Sequence, residues 1–164
     1  QETGSGVDLA TDTTGVTFRQ KTLTLSTAGT HAAPTRKLSA ADSGTVFFVD
    51  ISTVSVVARL PAPSAGLFYK FILNVASHDE GAKDFVLTTG DDAVDINGNL
   101  FVHNAHVEVT NATSAVIIDS SDADATIGDY FEVCCDGTDW YIFGMVDSAS
   151  AIDITNAADG HTVP

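Results

Sequence analysis

No lysine or arginine follows Lys83. Over residues 1–83 the seven bases (Arg19, Lys21, Arg36, Lys37, Arg59, Lys70, Lys83) are balanced by seven acids, so the fifteen acids of residues 84–164 account for the whole formal charge of −15. Phosphate binding draws its free energy from Lys and Arg displacing counterions. A chain this poor in them, with an isoelectric point near 4.2, speaks against a nucleic-acid partner. Long apolar runs are missing as well. No stretch approaches the ~18 residues that a membrane helix needs, which speaks against a membrane partner. Cysteine is confined to Cys134 and Cys135. Adjacent strand residues point to opposite faces, and neighbours reach disulfide geometry only with strain. Both read as free thiols, which fits assembly in a reducing cytoplasm better than a secreted, disulfide-stapled scaffold. No signal-peptide pattern is visible, and a first residue of Gln1 instead of Met reads as a chain trimmed, processed or begun at an internal point.

What the sequence does contain is alternation. Its 164 residues are 44% hydrophobic, enough for one domain with a substantial core, and the apolar period is two. Tyr69, Phe71, Leu73 and Val75 alternate with Lys70 and Asn74, the pattern of a half-buried strand. Strands are expected at Val16–Leu25, Thr45–Ile51, Ser55–Leu60, Leu67–Val75, Asp84–Thr89, His106–Thr110, Ala115–Asp119, Asp129–Cys135 and Trp140–Val146, each bounded by Gly, Pro, Asn or Asp. The clearest hairpin runs from Tyr130 through Asp136-Gly137-Thr138-Asp139 to Phe143, because Asp-Gly tolerates the positive φ of a tight turn. Pro61 and Pro63 lack amide donors and are expected to end a strand and open a loop. No amphipathic helix competes with these strands, and Ala149–Ala158 is too short and broken to be one.

The expected fold is therefore all-β, an antiparallel β-sandwich or jelly-roll-like barrel over residues 16–146, with extended terminal arms. Residues 1–15 read as an N-terminal arm and 147–164 as a C-terminal tail. Both are either frayed ends or segments that order against a neighbouring subunit.

Motifs for chemistry are few. Asp91, Asp92, Asp95, Asn97 and Asn99 form one acidic cluster and Asp122, Asp124 and Asp129 another, so calcium has oxygen ligands within reach. Neither cluster has the calcium-loop spacing, since the sixth position counted from Asp95 is Leu100 and the twelfth Val107. No cofactor is expected. His103 and His106 lack zinc-site companions apart from Glu108. There is no Gly-x-Ser-x-Gly elbow and no phosphate-cradling loop. Glu132 and Asp136 beside the thiols raise the cost of a thiolate. Asn111-Ala112-Thr113 matches the glycosylation tripeptide, a pattern frequent by chance. Of the aromatics, Tyr130 and Trp140 across the expected hairpin are candidates for a sugar-stacking pair, against core packing as the plainer role.

The run Leu60-Pro61-Ala62-Pro63-Ser64-Ala65-Gly66-Leu67-Phe68-Tyr69-Lys70-Phe71-Ile72 stands upstream of Ile127-Gly128-Asp129-Tyr130-Phe131-Glu132-Val133 and of Asp136-Gly137-Thr138-Asp139-Trp140-Tyr141-Ile142-Phe143-Gly144. Together they resemble small β-domains of tailed-bacteriophage structural proteins, in which a Leu-Pro strand-loop-strand precedes Gly- and Trp-bearing closing hairpins. The resemblance spans roughly residues 44–146 and is shared by capsid decoration (cement) proteins, head fibres and tail-fibre domains. It implies a β-sandwich that forms trimers and binds a capsid or baseplate, with no catalytic residues. Two expectations follow. The first is a non-enzymatic protein of the virion, assembled in the host cytoplasm, that decorates and stabilises a phage capsid as a homotrimer at three-fold or quasi-three-fold sites on the major capsid protein. Arg19, Lys21, Arg36 and Lys37 of the neutral half are its expected contacts. The second is a glycan- or receptor-binding fibre module that uses Tyr130 and Trp140.

Overall fold

The computed structural model describes residues 7–12, 15–75, 83–90, 93–102, 105–109, 113–118 and 125–155, with the backbone alone for 7–12, 15–19, 75 and 155. The strands are β1 (Val7–Asp12), β2 (Gly15–Gln20), β3 (Thr22–Leu25), β4 (Arg36–Lys37), β5 (Val46–Asp50), β6 (Val56–Arg59) and β7 (Phe68–Val75). They continue with β8 (Phe85–Thr88), β9 (Ile96–Val102), β10 (Ala105–Val109), β11 (Ala115–Ile118), β12 (Tyr130–Cys135), β13 (Trp140–Met145) and β14 (Ile152–Thr155). Helical structure among the described residues is limited to 3-10 turns at Ala40–Asp42 and Ala149–Ala151, and none is long and apolar enough to cross a membrane.

The fold is all-β, with two sheets packed face to face. One has seven strands in the order β10-β9-β13-β12-β7-β5-β3, the other five in the order β14-β11-β8-β6-β4. The chain changes sheet at each step from β3 to β8. As a result β3, β5 and β7 run parallel in one sheet and β4, β6 and β8 run parallel in the other. This is a two-sheet coil of three turns, extended by antiparallel β11 and β14 on β8 and by β12 and β13 on β7. The sheets are thus mixed, where alternation suggested antiparallel pairing throughout. A period of two reports burial of one face and carries no information on strand direction.

Between the sheets lies an aromatic ladder. Phe47 stacks on Phe71 at 5.2 Å, Phe71 meets Phe85 at 5.3 Å across the sheets, and Phe85 meets Phe131 at 6.1 Å. Apart from it, Val57, Val86, Ala115 and Ile117 form a second buried cluster on the far side of the five-stranded sheet. That sheet is therefore apolar on both faces, as the unbroken runs of β8 and β11 require.

The terminal segments differ from the expected arms. Val7–Asp12 pairs with Gly15–Gln20 as a separate two-stranded ribbon, and the expected strand Val16–Leu25 is divided at Lys21 between that ribbon and the seven-stranded sheet. At the other end Ile152–Thr155 pairs with Ala115–Ile118, so the sandwich extends past residue 146. The pairing explains the difference, because Ile152 and Ile154 add their side chains to the core. Residues 1–6, 13–14 and 156–164 lie outside the described residues.

Candidate functional site

The four bases expected to mark a contact surface are used in different ways. Arg36 Nη2 lies 2.6 Å and Lys21 Nζ 3.7 Å from Oδ1 of Asp42, a carboxylate buried in the 3-10 turn. Ser39 donates to the other oxygen through its amide at 3.1 Å and its hydroxyl at 3.0 Å. Burial by itself pushes the Asp42 carboxyl up, but the Arg36 hydrogen bond and charge together with Ser39 outweigh it, and the group sits below the usual carboxylate range. Two of the four bases therefore serve a structural ion cluster. Lys37 is exposed on β4, and Arg19 occupies the β2 position opposite Asp8, with its side chain outside the described residues.

Tyr130 and Trp140 do not form a pair. Trp140 is fully buried on the inner side of β13, 5.8 Å from the Tyr69 ring, while Tyr130 lies on the outer side of β12 with Lys70 Nζ 4.6 Å above its ring. In the hairpin register Trp140 faces Cys135 and Tyr130 faces Met145. An odd separation along the pleat sends them to opposite sides. Trp140 cannot stack on a sugar, and its role is core packing.

The acidic clusters fall largely outside the described residues. Asp91, Asp92, His103, Asn111, Asp122 and Asp124 lie outside the described residues, whereas Asn97 and Asn99 are strand positions in β9. Among the described residues no three potential metal ligands come together. Asp129 is buried and accepts the amides of Thr126 at 2.9 Å and Asp147 at 3.1 Å. Burial and the charge of Asp147 outweigh these two bonds and raise its carboxyl pKa. Cys134 and Cys135 are free, and burial, with Cys135 and Asp136 nearby, pushes the Cys134 thiol up. It is a poor nucleophile near neutral pH.

What the fold does bring together is on the outer face of the seven-stranded sheet. The pairing register aligns His106, Phe101, Met145, Tyr130, Ile72, Phe48 and Thr24 in one row across all seven strands. The next row contains Phe143, with Glu132 and Lys70 beside it. Phe101, Phe143 and Met145 are 60%, 50% and 55% exposed. Ile127, at 63%, stands on the loop before β12. With Phe101, Tyr130 and Met145 it walls an open pocket of about 420 Å³ that has Asp129 and Asp147 on its polar side. Lys70 and Glu132 are closed on each other at 2.6 Å. Across these two rows the one further charged position is Glu108, at the β10 edge.

None of these exposed apolar residues stands out by residue type. The signal lies in strand β13 and the residue after it, where Trp140, Ile142 and then Val146 are buried while Tyr141, Phe143 and Met145 on the outer side are large and mostly apolar too. A strand apolar on both sides is covered on both sides, yet here the outer side faces solvent. No family model, curated protein or solved structure matches this chain.

Proposed function

We propose that the chain is a non-enzymatic structural module that joins a larger assembly through the outer face of its seven-stranded sheet. In this reading the assembly is a tailed-phage head, on which homotrimers seated at three-fold or quasi-three-fold sites contact the major capsid protein and stabilise the shell. The supporting observation is the exposure of Phe101, Phe143 and Met145 on this face and of Ile127 on the loop beside it, in rows where Lys70 and Glu132 are closed on each other. Single exposed apolar residues are ordinary, but contiguous ones mark interaction surfaces. The likeness of residues 44–146 to phage structural β-domains supplies the identity of the assembly.

The mechanism is burial in place of chemistry. Each Å² of apolar surface taken from water contributes about 25 cal/mol, and stable contacts cover about 1,200–2,000 Å². Repeated over many copies, such contacts resist expansion of a shell by mass action. Cryo-microscopy of particles that contain the chain tests this. Density at three-fold sites, in multiples of three copies and with the outer face covered, is the expected result. A single tail-tip copy, or Phe143 and Met145 left in solvent on the particle, overturns it.

A further inference from the structure

The open pocket at the end of the outer face has a chemistry of its own. Phe101, Ile127, Tyr130 and Met145 give it apolar walls, and Asp129 and Asp147 line its polar side. Its volume of about 420 Å³ falls in the range of small-ligand sites, about 300–1,000 Å³. The lining holds two acids and no base, and all of it comes from the part of the chain that has no Lys or Arg. Neither carboxylate has an ion-pair partner among the described residues, where Lys21 and Arg36 are taken up by Asp42 and Lys70 by Glu132. Asp129 Oδ2 accepts the Thr126 amide and Oδ1 the Asp147 amide. Each carboxylate oxygen can accept a second donor. The two side chains are also near enough for the charge of Asp147 to help raise the Asp129 pKa, a repulsion that a cation between them relieves.

These features select the occupant. A hard metal ion seeks about six to eight oxygens and gains nothing from apolar walls, whereas a neutral apolar group leaves both carboxylates uncompensated as it drives out their water. A basic side chain suits both parts. Its methylene stem lies along Ile127 and Met145, its head reaches the carboxylates, and aromatic rings attract a cation placed over them. The Tyr130 ring already has one, Lys70 Nζ at 4.6 Å. A guanidinium, planar and able both to stack and to fork, matches rings and carboxylates together better than an ammonium does. We propose that this pocket receives a basic side chain, arginine before lysine, presented by the protein on which the outer face sits. This rests on the reading of that face as an assembly contact and names the chemistry of its anchor. Apolar contact over the sheet supplies affinity, and one seated cation fixes the register. The charge of the whole agrees, since a chain at −15 is drawn to a basic partner surface.

The test needs no partner protein, which separates it from the assembly reading. The full isotope-labelled chain is titrated by NMR with N-acetyl-arginine N-methylamide. Parallel titrations use the citrulline analogue, which has the same stem and a neutral head, and calcium chloride at matched ionic strength. Saturable shifts of the Gly128, Asp129, Tyr130 and Asp147 amides are expected with the arginine probe and not with the citrulline one. Asp147 is exposed, so D147N leaves the sandwich intact by thermal unfolding. It is expected to weaken the arginine probe about fivefold. Equal shifts with citrulline, shifts elsewhere or none, or an unchanged affinity in D147N overturn the proposal, and competition by calcium overturns it in favour of a metal site. If the probe binds here while Phe143 and Met145 stand in solvent on particles, the assembly reading fails and the proposed source of the side chain with it. If the face is covered on particles and the probe does not bind, the pocket proposal fails alone.

Discussion

Asp42 shows how one carboxylate can be buried at tolerable cost. Arg36, Lys21 and Ser39 converge on it, and because its folded pKa is lowered, its contribution to stability is present above the unfolded value near 3.8 and lost as pH falls through the folded one. Asp42→Asn is expected to cost about 2 kcal/mol at pH 7, a moderate figure because Arg36 is partly in solvent. Urea titrations at pH 7 and at strongly acid pH check this; the gap between variant and parent closes at acid pH, and an unchanged gap contradicts the assignment. Asp129 behaves in the opposite sense. Its raised pKa makes its ionised form a burden at neutral pH that is relieved as pH falls through the folded value. Trp140 is the only tryptophan in the chain and is fully buried. Its fluorescence is expected to be blue-shifted, shielded from acrylamide and indifferent to added sugars. Quenching typical of a surface indole contradicts its placement beside Tyr69.

Strand β9 is the element that sequence patterns conceal best. Ile96-Asn97-Gly98-Asn99 reads as a polar turn after an acidic run, yet it lies inside the seven-stranded sheet between β10 and β13. Gly98 makes this possible. Its φ is +146, and a Cβ there would run into the Ile142 carbonyl of β13, so the parallel pairing of the two strands depends on the absent side chain. Gly98→Ala is expected to lower stability by roughly 2–4 kcal/mol, read as a lower denaturant midpoint, whereas an ordinary strand glycine loses little or gains. The β12–β13 hairpin was by contrast legible in full. Asp136 Oδ1 accepts the amides of Thr138 at 2.8 Å and Asp139 at 3.0 Å, and Gly137 takes a positive φ of 114, which is what Asp-Gly supplies locally. Turns of this kind rest on neighbouring residues, while β4, two residues long, exists only because β6 lies beside it.

For the whole molecule the dominant quantity is charge. The homotrimer proposed above would carry roughly −45, three times the −15 of one chain, and screening by salt, or neutralisation by calcium, would reduce that repulsion. Assembly is expected to strengthen as salt or calcium rises, followed by sedimentation velocity. A mass distribution indifferent to both places the acidic surface away from the subunit contacts. The two sheets also differ in what they leave open. The outer side of the five-stranded sheet buries Val57, Val86 and Ile117, whereas that of the seven-stranded sheet exposes Phe101, Phe143 and Met145. Adjacent strands in sequence belong to different sheets through most of the chain, so this asymmetry is set by register between strands distant in sequence.

The sequence by itself determined that the chain is all-β, where most strands lie, and how the Asp-Gly hairpin turns, because alternation, β-branched content and turn residues act over a few neighbouring positions. It also determined that the charge is concentrated after residue 83. Only the tertiary structure decided the parallel coil from β3 to β8, the burial of Trp140 and the convergence of Lys21 and Arg36 on Asp42. It likewise decided which of two apolar sides of β13 is covered. Each of these depends on which strands become neighbours and in what register, and a period of two is the same for a strand in any sheet, in either direction and on either side of its partner.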